Sequence, residues 1–170
     1  MSEYAITTDS NSDVLPEFVK ENDLTIIPQY YSFGDTVYGD ELNMEPHEFY
    51  ETMRKGELPK SQANNPAVIR ERFEKILKEG KDILHIAFSS ALSGSCNNVI
   101  MTANELMEDY PERRIKVFDS LNASMGEGVS VYRAIELQKE GKNMDEVYDI
   151  LMEEREHINV SFTVNDLYHL

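Results

Sequence analysis

The chain has 170 residues and is short of three things: it has no tryptophan, a single cysteine, and half as many cations as anions. With Cys96 alone no internal disulfide can form and multi-cysteine zinc cages are excluded, which fits a reducing, cytoplasmic setting. Lys and Arg number 16 against 32 Asp and Glu, a formal net charge of −16. Such a chain repels phosphate backbones and anionic lipid, so nucleic acid and membrane surfaces are not expected partners. No apolar run approaches the ~18 residues of a membrane span. The start, MSEYAITTDS, has neither the basic nor the apolar stretch of a secretory leader. Catalytic and phosphate motifs are missing too. There is no GxGxxG, no Gly-Lys-Ser/Thr phosphate loop, no GxSxG elbow and no SxxK.

What is present is an alternation of strands and helices. YAIT (4–7), LTIIPQYYSF (24–33), ILHIAF (83–88) and IKVF (115–118) read as strands, and Gly34-Asp35 turns the second into a hairpin with TVYG. Helices are expected over 16–22, 45–56, 66–79 and 99–110, with Ile69, Phe73, Ile76 and Leu77 facing inward on the third. Ser124 and Glu127 have capping-box spacing for a helix stopped by Gly141, and Asn143 with Glu146 repeats that logic for another. Gly126 and Gly128 read as helical glycines that allow close packing. KSQANN (60–65) reads as loop, and INVSFTV (158–164) alternates like a strand. Helices between strands predict an α/β fold with a parallel sheet flanked by helices.

Three strands end alike: Asp9-Ser10, Ser89-Ser90 and Asp119-Ser120. In a parallel sheet these ends meet on one side, where ligands bind. Asp9, Ser10, Asp119 and Ser124 are therefore candidates for the edge of a site, although Asp and Ser are also common caps and turn formers. The loops 9–13, 61–65, 89–98 and 119–128 contain no Lys or Arg. Helix N-termini favour anions, but a polyphosphate needs more positive charge than these loops offer. One carboxylate held by neutral donors fits better. The alternatives are a serine hydrolase using Ser93, or a phosphate or phosphosugar module at the same edge. His85 lies inside a strand, where a hydrogen-bonded core histidine is expected. Asp9 and Asp13 lack further ligands for a metal, so none is expected.

TTDSNSD (7–13), KSQANNPA (60–67), SSALSGSCNN (89–98), VFDSLNASMGEG (117–128) and FTVNDLYHL (162–170), in this order and spacing, resemble the DegV family of bacterial fatty-acid-binding proteins. The resemblance runs the length of the chain. It implies two α/β domains that hold one long-chain fatty acid between them, with the tail in an apolar tunnel and the carboxylate near its mouth. A separate fatty acid kinase then converts the presented acid to an acyl phosphate for phospholipid synthesis. The binding protein is not itself a catalyst on this reading, and no cofactor is implied. Ser61, just ahead of Gln62, and Ser93, followed by Gly94, correspond to the family's head-group contacts. The departures at Ala63-Asn64-Asn65 and Cys96-Asn97-Asn98 leave both hydroxyls in place. Ile100, Met101 and Met125 are candidates for the tail. The family continues beyond FTVxDLxxL, so the resemblance divides the chain into an N-terminal α/β domain (1–157) and the first strand (158–170) of a second domain that is largely absent.

Overall fold

The computed structural model describes residues 3–163. Four parallel strands form the main sheet: β1 (Tyr4–Asp9), β2 (Thr25–Ile27), β6 (Asp82–Ala87) and β7 (Ile115–Asp119), in the order β2-β1-β6-β7. A smaller antiparallel sheet, β4-β3-β5, joins β3 (Tyr30–Phe33), β4 (Thr36–Tyr38) and β5 (Lys60–Gln62). The helices are α1 (Pro16–Glu21), α2 (Pro46–Arg54), α3 (Pro66–Lys78), α4 (Ser95–Asp109), α5 (Met125–Lys139) and α6 (Met144–Glu154).

The period of two along β6 separates two cores. Leu84 and Ile86 face Val131, Ile135, Met144, Val147 and Leu151 of α5 and α6, with Phe18 of α1 at the margin. Ile83 faces the opposite way, against Phe73 and Ile69 of α3 and Val99 and Leu106 of α4. His85 shares that second face, its ring 5.7 Å from Phe73. The result is the expected helix–sheet–helix sandwich. The winding runs from β1 to β2 on one side and through β6 to β7 on the other. The switch point therefore lies between the carboxyl ends of β1 and β6, where an open parallel sheet leaves a crevice.

Several expectations need correction. Residues 60–65 are not all loop. Lys60, Ser61 and Gln62 pair with Ser32, Tyr31 and Tyr30, so the ladder overrides their weak strand propensity. The run 24–33 is not one strand. It breaks after Ile27, where Pro28 offers no N–H to a ladder. The helix expected from residue 99 begins at Ser95. Ser124 and Glu127 form no capping box. Ser124 has φ 53° and directs its hydroxyl to Asp13, while Glu127 turns into the core to meet Thr8. The box at Asn143 and Glu146 is formed in full. The alternating stretch makes no strand over its described part, 158–163. The remainder of that stretch, and FTVNDLYHL from residue 164 onward, lie outside the described residues.

Both helical glycines sit at close approaches. A Cβ on Gly128 would stand 2.5 Å from the Ser12 carbonyl oxygen, and one on Gly126 would meet the Asn122 side chain. In an open helix interior, Gly→Ala gains about 1 kcal/mol. Here the sign reverses, because the turn after β1 is backbone and cannot yield. Gly128→Ala is expected to lower the midpoint of urea unfolding; an unchanged or raised midpoint would show that α5 does not need this contact.

Candidate functional site

The carboxyl ends of β1 and β6 meet at a buried carboxylate. Asp9, the last residue of β1, is fully buried. Its Oδ2 accepts the Phe88 backbone N–H at 2.8 Å, and its Oδ1 accepts Gln29 Nε2 at 2.9 Å and Asn64 Nδ2 at 3.5 Å. His85 Nε2 lies 3.6 Å from Oδ2, while Nδ1 is 2.9 Å from the Thr7 hydroxyl. Burial alone would raise the Asp9 pKa. The nearby His85 ring, the Phe88 N–H and Gln29 outweigh that cost and hold the carboxyl below its usual range.

From Asp9 a polar chain runs outward to the loop after β6. Gln29 Oε1 accepts the Ser95 hydroxyl at 2.7 Å, and Ser95 Oγ stands 2.9 Å from Ser93 Oγ. The Ser95 backbone N–H also donates to Ser93 Oγ, at 3.1 Å. Asn64 ties in the segment after β5: its N–H reaches Ser95 Oγ at 3.3 Å and its Nδ2 reaches the Ser95 carbonyl at 3.3 Å. Asn98 in turn donates to the Asn64 carbonyl at 3.1 Å. Along this outer chain amides and hydroxyls satisfy one another without a cation.

The expected site residues sort into distinct roles. Ser93 is half-buried at the outer end of this chain, and Gly94 is the N-cap residue of α4. Ser61 lies exposed on β5, three residues before Asn64; no hydrogen bond among the described residues joins it to Ser93. Ser10 accepts the Gln29 N–H at 2.9 Å. Asp119 braces the loops after β6 and β7 by accepting the N–H groups of Ser90 and Leu121 at 3.1 and 3.2 Å. Ser124 hydrogen-bonds to Asp13 and so ties α5 to the turn after β1. Asp13 does not cap α1, whose N-cap residue is Leu15. The core role expected for His85 is the one it has. Ile100, Met101 and Met125 are exposed, as are Leu92 and Leu121 on the loops beside the strand ends. Sequence reasoning missed Gln29, Asn64 and Ser95, since a single amide or hydroxyl carries no periodic signal. It also missed Arg155, whose Nη1 donates to the Asp119 carbonyl at 3.1 Å. No group of three or more His, Cys, Asp or Glu among the described residues is placed to hold a metal, and no described helix is long and apolar enough to cross a membrane.

A three-layer α/β domain with uncharged donors at its switch point defines the class. The chain belongs to the DegV family: the family profile described as "Uncharacterised protein, DegV family" matches residues 3–170. A DegV domain-containing protein of Clostridium perfringens, CPE0026, is 37% identical over 172 residues, covering all of this chain and 59% of that protein. YteA of Lactococcus lactis is 28% identical over 169 residues, 98% of this chain and 58% of its own length. The chain thus spans about six-tenths of the curated relatives it matches. Among solved structures, a fatty-acid-binding DegV family protein from Thermus thermophilus superposes with a TM-score of 0.81 at 27% identity, covering 92% of this chain and 54% of that one. A stearic-acid-binding protein from Eubacterium ventriosum gives 0.82 at 25% identity, covering 88% and 52%.

Behind Asp9 lies a second buried carboxyl, Glu127. Burial, followed by the charge of Asp9, pushes its pKa up to about 9. Its Oε1 is 2.9 Å from Thr8 Oγ1, which also lies 3.0 Å from the Ile86 carbonyl. Thr8 has one hydroxyl proton and cannot serve both acceptors, so a protonated Glu127 supplies the second. The unfolded carboxyl ionises near 4.5, so folding takes up a proton between pH 4.5 and about 9, and stability falls as pH rises through that window. Glu127→Gln cannot ionise, and its amide can still donate to Thr8. Its stability relative to the natural chain is expected to climb from pH 5 to pH 8, by up to ~1.4 kcal/mol per pH unit. A gap that stays constant across chemical unfolding at pH 5, 6.5 and 8 would refute this.

Proposed function

We propose that the chain binds a long-chain fatty acid and seats its carboxylate at the carboxyl ends of β1, β6 and β7, on donors from Ser93, the Gly94 amide and Ser61. The observation that carries this reading is the uncharged loop 89–98. It presents a hydroxyl at the start of a fifteen-residue helix, α4, and contains no Lys or Arg of its own. Such a site suits one negative charge and disfavours a polyphosphate. The fatty-acid-binding relatives support the same ligand. Each buried methylene contributes about 0.8 kcal/mol, so a long tail supplies most of the affinity. Hydrogen bonds to a charged group, ~1.5–3 kcal/mol each, then orient the head group. Leu92, Leu121 and Met125, exposed at this edge, supply apolar surface where the tail enters.

In this reading the chain performs no chemistry and works in the cytoplasm. It presents the carboxylate to a separate fatty acid kinase, which forms the acyl phosphate. Residues 1–157 form the N-terminal domain, 158–170 open the next, and the longer protein supplies the facing wall. Hydrolysis by Ser93 gains no support: its hydroxyl meets Ser95, and His85 is fully buried with its Nδ1 on the Thr7 hydroxyl. Organic extracts of the full-length protein are expected to yield a fatty acid by mass spectrometry. Ser93→Ala should weaken fatty-acid binding about ten-fold or more, while stability stays within about 0.5 kcal/mol. An extract without acyl chains, together with no thermal shift on adding fatty acid, would refute carriage. An unfolded Ser93→Ala variant would make the serine a structural cap.

A further inference from the structure

The geometry points to Gln29 as the residue that positions the Ser93 hydroxyl for the ligand head group, acting through Ser95. This rests on the fatty-acid reading and assigns a role to a residue outside the family-like loops. Gln29 follows Pro28 at the crossing between the two sheets, and its backbone N–H is fixed on Ser10 Oγ. Its side chain bridges Asp9 and Ser95, at 2.9 and 2.7 Å. An ionised carboxylate only accepts, so the amide must turn its NH2 to Asp9 and its carbonyl to Ser95. The single hydroxyl proton of Ser95 is then spent on Gln29. It follows that Ser93 is the donor in the 2.9 Å contact between the two serines.

The consequence is directional. With its proton turned inward, Ser95 cannot compete for a ligand, and Ser93 is left as the hydroxyl that can swing outward. Ser95 Oγ keeps the Asn64 N–H as a donor when Ser93 lets go, so no buried atom is orphaned. The Ser95 N–H holds Ser93 Oγ in place meanwhile. Gln29 touches no ligand in this arrangement. It sets which hydroxyl donates, and from where.

The test compares a charged and an uncharged head group on the same tail. Oleate and oleyl alcohol are titrated into full-length protein carrying Gln29→Leu, Ser95→Ala, Ser93→Ala or Gln29→Leu with Ser93→Ala. Gln29→Leu and Ser95→Ala should each lose about ten-fold in oleate affinity and less than two-fold for the alcohol. The double variant should lose no more than Ser93→Ala alone. If Gln29→Leu does not fold, Ser95→Ala decides, because it leaves the Asp9–Gln29 contact intact. Equal losses for acid and alcohol would make the role merely structural and overturn the inference. So would discrimination retained in Gln29→Leu, or in Ser95→Ala, while Ser93→Ala loses it. Discrimination retained in Ser93→Ala as well would overturn the head-group reading itself.

Discussion

The carboxyl end of the sheet depends on the burial of one ionised group, Asp9. A carboxylate taken out of water costs several kcal/mol unless its lone pairs are filled. The fold fills them from separate segments, Phe88 after β6, Gln29 between the two sheets and Asn64 after β5, with the ring of His85 within β6 standing 3.6 Å away. None of these is near Asp9 in sequence. The charge therefore acts as a common acceptor that fixes where the loops begin, and the apolar cores on either face of the sheet need only hold the strands in register.

Asp9 and Glu127 show how a fold divides protons between neighbouring acids. Both are buried, and each would be driven toward the neutral form by burial alone. Asp9 has a backbone N–H, side-chain amides and an imidazole, so it stays ionised. Glu127 has only a threonine hydroxyl and the Asp9 backbone N–H to favour its charge, too little against burial and the repulsion of Asp9, so it keeps its proton. Two adjacent buried charges of one sign would be prohibitive; one charge beside one neutral acid is not. This also explains why a Ser–x–x–Glu spacing at 124–127 yields no capping box. A neutral glutamate can turn into the core and meet Thr8, and there it no longer reaches back to the helix end.

The fold was legible in the sequence where periodicity spoke. The stripe from Ile69 to Leu77, the run 83–88 and the cap at Asn143 all landed on the elements they predict, because burial on one face leaves a pattern of period 3.6 or 2. It was illegible where one contact decided the outcome. Lys60–Gln62 has no strand signature and becomes β5 only because Tyr30–Ser32 offers it a ladder. At the strand ends, the recurrence of Asp and Ser indicated a shared edge, and the structure does gather those ends. It did not show that Asp9 is an internal anchor, that Asp119 and Ser124 brace loops, or that Gln29, Asn64 and Ser95 connect the anchor to Ser93. Most of those roles depend on residues brought together across 20 to 111 positions of chain.

The neutrality of the outer loop and the charge of Asp9 behind it are two sides of one constraint. A cation in the loop would be drawn to Asp9 and would collapse onto it, filling the crevice with an internal ion pair. Amides and hydroxyls instead carry the polarity outward without carrying the charge. The chain as a whole is strongly acidic, so its field does not steer an anion inward. On the proposed reading this is tolerable, because capture depends on the apolar tail and the head group has only to be oriented. An anion held by neutral donors, with a repelling field around it, remains exposed to a partner that can offer the missing positive charge.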